Sequence, residues 1–221
     1  MKSRSNLKKL VLTALFCAMA YVLTLVCHFN VMFLTFDLKD IPMVIFSLMY
    51  GPLYGVIVAA VTSLIELVTI SDTGLYGLIM NFISSAAFAF ISGFIYKYKR
   101  SFAGAIASVG IAALSTTVLM LIANIIITPF YMGVTASEVV ALIPTLLLPF
   151  NACKTLLNGA AVLMLYKPVT TALKKAKLAP NTSSTHIDPK RTLLLCTVSA
   201  VIIAASIVCV IVLLNGSFSL I

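Results

Sequence analysis

Charge is what this chain has least of. Only 10% of its 221 residues are charged, whereas 62% are hydrophobic and the mean hydropathy is +1.15. A soluble domain of this size carries roughly a quarter charged residues, so the composition excludes water as the main solvent. The five cysteines, Cys17, Cys27, Cys153, Cys196 and Cys209, are scattered through apolar runs, odd in number and without a CxxC spacing. That argues against a disulfide or metal framework and favours small packing residues. There are two histidines, His28 and His186, remote from one another. No HExxH, phosphate-binding loop, serine elbow or pair of intramembrane carboxylates occurs, so the residues expected of an enzyme are absent. The net charge of +9 comes without a basic face interleaved with aromatics, which argues against nucleic-acid binding.

What charge there is alternates. Lys2, Arg4, Lys8 and Lys9 precede the first apolar run. Lys97, Lys99 and Arg100 separate two later ones, and Lys167, Lys174, Lys175, Lys177, Lys190 and Arg191 flank a third gap. Asp37, Asp40, Glu66, Asp72 and Glu138 lie in the intervening gaps, where Lys39 is the only base. Retention of basic loops at the cytoplasm produces this pattern. It predicts a multi-pass protein of the cell membrane with a cytoplasmic N-terminus and basic loops facing anionic lipid. The first apolar run extends through Cys27, longer than a secretory signal needs, and is expected to remain as an uncleaved helix.

A spanning helix needs about 20 apolar residues. Runs at roughly 7–29, 77–96, 104–128, 143–166 and 192–214 qualify. Residues 41–70 are broken by Gly51-Pro52, and proline cannot continue a helix, so two short helices at about 41–50 and 53–70 are expected. The fold class is thus an all-α integral membrane protein. A six-helix membrane domain fills residues 1–177, a polar linker with two prolines follows over 178–191, and an additional transmembrane helix takes 192–214.

One base, Lys154, sits inside an apolar helix. A charge at membrane depth is costly and faces a cavity or a partner, unless it snorkels from a helix end near Pro149. Asn151 and Lys154 are three apart and share a helical face, which Asn158 continues. Asn81 and Asn124, toward the outer ends of two other helices, complete a polar ring at similar depth. Amides present donor and acceptor side by side, matching an imide or amide edge of a flat heterocycle, with apolar walls for its faces. Glu66, near an outer helix end, reads as a rim carboxylate or a proton site. Ala14 and Ala18 lie one turn apart on the first helix, a spacing that lets a partner helix approach closely.

The stretches Asp37-Leu38-Lys39-Asp40-Ile41-Pro42, Tyr50-Gly51-Pro52-Leu53-Tyr54-Gly55, Asn81-Phe82-Ile83, Asn124 with Pro129, and Leu148-Pro149-Phe150-Asn151-Ala152-Cys153-Lys154 occur in the order and spacing of a known family. Together they resemble the substrate-binding (S) components of energy-coupling factor (ECF) vitamin transporters, in particular the riboflavin-binding branch, across about residues 8–175. The resemblance implies a six-helix S-component bundle that captures a vitamin without catalysis, needs no cofactor or metal, and holds riboflavin or a related flavin as its ligand. It places Asn81, Asn124, Asn151 and Lys154 in flavin recognition, with Leu38, Lys39 and Asp40 in the capping loop between helices one and two. It makes Ala14 and Ala18 the docking pair for a transmembrane coupling subunit that works with two cytoplasmic ATPases. Two features depart from the family pattern. Thr62-Ser63 stands where the riboflavin branch carries Lys-Asn, which keeps another vitamin or heterocycle in view, and the seventh helix is additional. A solitary secondary transporter would show an intramembrane carboxylate and an internal repeat, and neither is found.

Overall fold

A computed structural model describes residues 2–27, 29–71, 73–178 and 189–213. Helix α1 (Lys2–Val26) leads into a β-hairpin, β1 (Phe29–Val31) and β2 (Leu34–Phe36). Then come α2 (Asp40–Tyr50), α3 (Pro52–Thr69), α4 (Gly74–Tyr98), α5 (Phe102–Met132) and the short α6 (Ala136–Ala141). A π-helical turn over Ile143–Leu147 opens α7 (Leu148–Lys175), and α8 (Pro189–Leu213) is last. Six of these segments are long and apolar enough to cross a membrane: α1, α3, α4, α5, the π turn with α7, and α8. The linker residues 179–188, with His186, as well as His28 and Asp72, lie outside the described residues.

The break at Gly51-Pro52 falls where the sequence places it. Gly51 has φ 109°, a value an L side chain resists, and Pro52 occupies the first turn of α3, where its missing N–H costs nothing. Helix α2 has 11 residues, about 16 Å at 1.5 Å per residue, too short for a hydrocarbon core of about 30 Å. It sits in the centre of the bundle, packed on α1, α3, α4 and α7. Nine of its residues are buried. The approach around Ser47 is close. Its hydroxyl donates to the Ala89 carbonyl of α4 at 2.6 Å, and a Cβ added at Gly93 would come within 2.0 Å of that oxygen. Glycine at 93 is therefore what lets α2 and α4 touch.

The α1–α2 connection is not the simple loop expected over 30–40. It folds as an antiparallel hairpin in which Asn30 faces Thr35 and Val31 faces Leu34, turning at Met32-Phe33 with Met32 at φ 55°. Val31 and Phe36 are buried with Val139, Leu147 and Phe150, so the hairpin closes one end of the bundle. A second core, with Phe16, Phe46, Val58 and Phe88, fills the other part. Large apolar side chains such as Leu53, Leu114, Phe130 and Val201 remain exposed, as a lipid-facing surface requires. Helix α8 packs along α7.

Candidate substrate site

The lysine on α7 is buried, and it does not snorkel. Lys154 is 6% exposed. Its Nζ donates to the Thr35 carbonyl and to Asp37 Oδ2, both at 2.9 Å. The hairpin brings these acceptors across to α7. Asp37 in turn lies 3.5 Å from Lys39 Nζ, and Lys39 donates to Glu66 Oε2 at 2.6 Å. Glu66 Oε1 accepts from Thr24 of α1 at 3.0 Å, and Asn81 Nδ2 reaches Oε2 at 3.5 Å. Alternating charge thus runs Lys154–Asp37–Lys39–Glu66 and ties α7, the hairpin segment, α3, α1 and α4 together. Buried charges persist when each is paired and hydrogen-bonded.

Two directions of proton affinity follow for the loop pair. Burial alone would push the Asp37 carboxyl up, but Lys154 and Lys39 overcome it and hold the group below its usual value. Burial alone would push the Lys39 ammonium down, but Asp37 and Glu66 hold it above its usual value.

This arrangement corrects the reading of Glu66. It is not a rim carboxylate but a buried one, 3% exposed, because Lys39, Thr24 and Asn81 converge on it. It also adds Asp37, which the sequence reading left out of the site. The signal was present in the loop stretch beginning at Asp37, but its partner lies on a distant helix.

Beside this network lies a cleft of about 640 Å³, and all four residues of the expected polar ring line it: Asn81, Asn124, Asn151 and Lys154. Asn124 and Asn151 are each held by a local bond to the preceding turn. Asn124 Nδ2 donates to the Met120 carbonyl at 2.7 Å while its Oδ1 accepts from Thr128 at 3.0 Å. Asn151 Nδ2 donates to the Leu147 carbonyl at 2.8 Å. The π turn widens the backbone just before Asn151, and such turns recur at functional sites. Much of the remaining lining is apolar or aromatic, with Phe33, Tyr76, Met80, Met120, Tyr131 and Phe150, beside the hydroxyls of Thr35, Thr73, Ser84 and Thr128. Sequence reasoning did not single out Tyr76 and Tyr131. Their rings lie 6.2 Å apart at the mouth of α4 and α5.

Lys39 lines a second, adjoining space of about 750 Å³, together with Asp37, Glu66 and Thr24. It shares Phe33, Thr35, Thr73, Asn81 and Tyr131 with the first. Leu38 and Asp40 line neither. Leu38 packs on the core, and Asp40 accepts from Ser85 Oγ at 2.5 Å. Asn158 is buried behind the ring and donates to the Asp37 carbonyl at 3.0 Å. Thr62 and Ser63 are buried in α3 and line neither space. Ala14 and Ala18 are exposed on α1.

Apolar walls with a few fixed polar groups are the lining that a small-molecule site has. Among the described residues, no group of three or more His, Cys, Asp or Glu is placed to bind a metal ion.

The family model for the substrate-specific component of ECF transporters matches residues 8–169. The chain is 29% identical over 178 residues to the riboflavin transporter RibU of Staphylococcus aureus (strain TCH60), covering 76% of this chain and 93% of that protein. It is 28% identical over 184 residues to the riboflavin transporter FmnP of Bacillus subtilis (strain 168), with the same shares covered. A solved structure described as "Structure and mechanism of the S component of a bacterial ECF transporter" superposes with a TM-score of 0.66 at 29% identity, covering 76% of this chain and 99% of that one. The matched region carries the hairpin, the buried charges and the polar ring, and the chain belongs to the substrate-specific components of ECF transporters, membrane-spanning transport subunits rather than enzymes.

Proposed function

We propose that this chain captures riboflavin or a closely related flavin in the cleft and presents it for uptake. The observation that carries the reading is the convergence of Asn81, Asn124, Asn151 and Lys154 on one cleft with aromatic walls. A flavin offers what this lining asks for. Its pyrimidine-like edge has carbonyl oxygens for an ammonium and alternating donors and acceptors for amides. Its ring faces are apolar enough for Tyr76, Tyr131, Phe33 and Phe150. The names of the two riboflavin-transporting relatives support the same ligand. The Thr62-Ser63 departure does not weigh against it, since neither residue lines the cleft.

In this reading the N-terminus is cytoplasmic, because the basic segments fall at one end of the helices and the hairpin at the other. The exposed Ala14/Ala18 face of α1 docks on a transmembrane coupling subunit, and two cytoplasmic ATPases drive the cycle. Packing of α8 along α7 leaves that face open. The test is titration of the purified chain with riboflavin, read by quenching of flavin fluorescence. Saturable quenching at one site per chain is the expected result. No quenching, with a different heterocyclic vitamin bound instead, would replace the ligand and keep the scaffold.

A further inference from the structure

Among the described residues, the buried acidic and basic side chains are Asp37, Lys39, Asp40, Glu66 and Lys154. Four of them form the run of ion pairs described above. Asp40 is the fifth. It is 1% exposed, and among the described residues it takes part in no ion pair. Its Oδ1 accepts from Ser85 Oγ of α4 at 2.5 Å. It heads α2 and lines neither space of the substrate site, so the reading above leaves it unused.

Two ammoniums here meet three carboxyls. With every acid ionised, one negative charge would stay buried without compensation, and a protein avoids that by neutralising the group. The cluster is also short of hydrogen, since Asp37 Oδ1 is buried without a hydrogen-bond partner. A proton makes up both shortfalls. Asp37 and Glu66 hold ammoniums at 2.9 and 2.6 Å, contacts that protonation would break, which leaves Asp40 to carry it. We propose that Asp40 is a proton-binding site, whose carboxyl is held neutral in the folded protein at neutral pH and so cancels the excess negative charge of the buried cluster.

The surroundings agree. Burial, and after it the Asp37 charge, raise the Asp40 carboxyl above its ordinary value, against the pull of Lys154 on α7, Ser85 on α4 and Lys39 beside it. Glu66 of α3 is engaged by Lys39, and α1 buries no acid or base among the described residues. The amino end of α2 favours an anion, but that effect is modest, whereas burial acts on the whole charge. The sign of the linkage follows. A raised folded-state value makes the contribution of Asp40 complete below the ordinary carboxylate range and lost as pH rises to the folded value.

The experiment compares the full chain in detergent with Asp40→Asn and Asp37→Asn. The Asp40→Asn amide reproduces a neutral carboxyl, with an oxygen for Ser85 and a hydrogen to donate. That variant should fold and melt at or above the parent at neutral pH, whereas Asp37→Asn should melt lower. The melting temperature of Asp40→Asn minus that of the parent should rise as pH increases from about 4, the ordinary aspartate value. Infrared spectra of the parent should show a protonated-carboxyl stretch at neutral pH that Asp40→Asn lacks. A difference that stays level or falls with pH, the absence of that band from the parent, or a failure of Asp40→Asn to fold would each overturn the proposal. None of these outcomes depends on what the cleft binds.

Discussion

Lys154 and Asp37 are 117 residues apart in the chain, yet Nζ and Oδ2 meet at 2.9 Å with neither side chain exposed to more than 7%. That contact joins the hairpin to α7 and so joins the covering of the site to its floor. It also gives Lys154 two duties, binding and bracing, which substitutions can separate.

Lys154→Ala should lower riboflavin affinity roughly ten- to a hundredfold, the value of a hydrogen bond to a charged group at about 1.5–3 kcal/mol. It should also destabilise the fold, because Asp37 is left buried with half its compensation. Breaking such a pair costs about 3–5 kcal/mol. The double variant Asp37→Asn/Lys154→Met should regain much of the melting temperature without regaining affinity. Fluorescence titration and a thermal melt on the same preparations measure the two effects. Recovery of binding in the double variant would remove Lys154 from ligand recognition.

The pairing of Asp37 and Lys39 should be insensitive to pH across the physiological range. Asp37 has a depressed folded-state value, so its contribution is present above the ordinary carboxylate range and is lost only as pH falls through the lower folded value. Lys39 has a raised one, so its contribution is present below the ordinary lysine value and is lost only as pH rises beyond it. Riboflavin affinity should therefore be flat between about pH 5 and pH 9. A step within that interval would show that one member of the chain of charges titrates there.

The aromatic walls yield a second affinity prediction. Tyr131→Ala removes the ring beside Tyr76 and should weaken riboflavin by several-fold or more, with ring contacts valued at about 0.5–1.5 kcal/mol beyond area burial. Tyr131→Phe should bind nearly as the parent does, since the ring and not the hydroxyl makes the wall. Equal losses in both variants would shift the role to the hydroxyl.

Topology is open to a direct measurement. Met32 at the hairpin tip is 70% exposed, and Lys99 lies exposed in the basic α4–α5 turn. In a background without native cysteines, a membrane-impermeant thiol reagent applied to intact cells should label Met32→Cys and spare Lys99→Cys. The reverse pattern would invert the orientation.

Docking is tested apart from binding. Ala14→Phe and Ala18→Phe enlarge a face of α1 that is exposed among the described residues, so riboflavin binding should survive while uptake by cells falls. Uptake unchanged in both variants would place the docking surface elsewhere.

Much of this was legible from local pattern. The spanning helices announce themselves as long apolar runs, the α2–α3 break as Gly51-Pro52, and the polar ring as lone amides and a lysine in apolar surroundings. The rest depends on distance. Strands of three residues, as in Phe29–Val31 and Leu34–Phe36, are shorter than the four to eight over which alternation becomes readable. The short helix α6 and the π turn are hidden by Pro144 and Pro149, which interrupt the helical period. Glu66 looked superficial because depth was judged from its place near a helix end, and only partners from other parts of the chain, Thr24, Lys39 and Asn81, enclose it. Asp37 was passed over because nothing near it in sequence reveals an ammonium on α7.

An ammonium has three hydrogens, and in Lys154 two are already committed, one to the Thr35 carbonyl and one to Asp37. One remains for a visitor. A molecule that presents a single acceptor at that point fits with the hairpin left in place. One that presents two must take a hydrogen from the hairpin and so loosen the cover over itself. The count of acceptors on a ligand's edge, as much as its shape, thereby decides whether it is held under a closed cover or an open one.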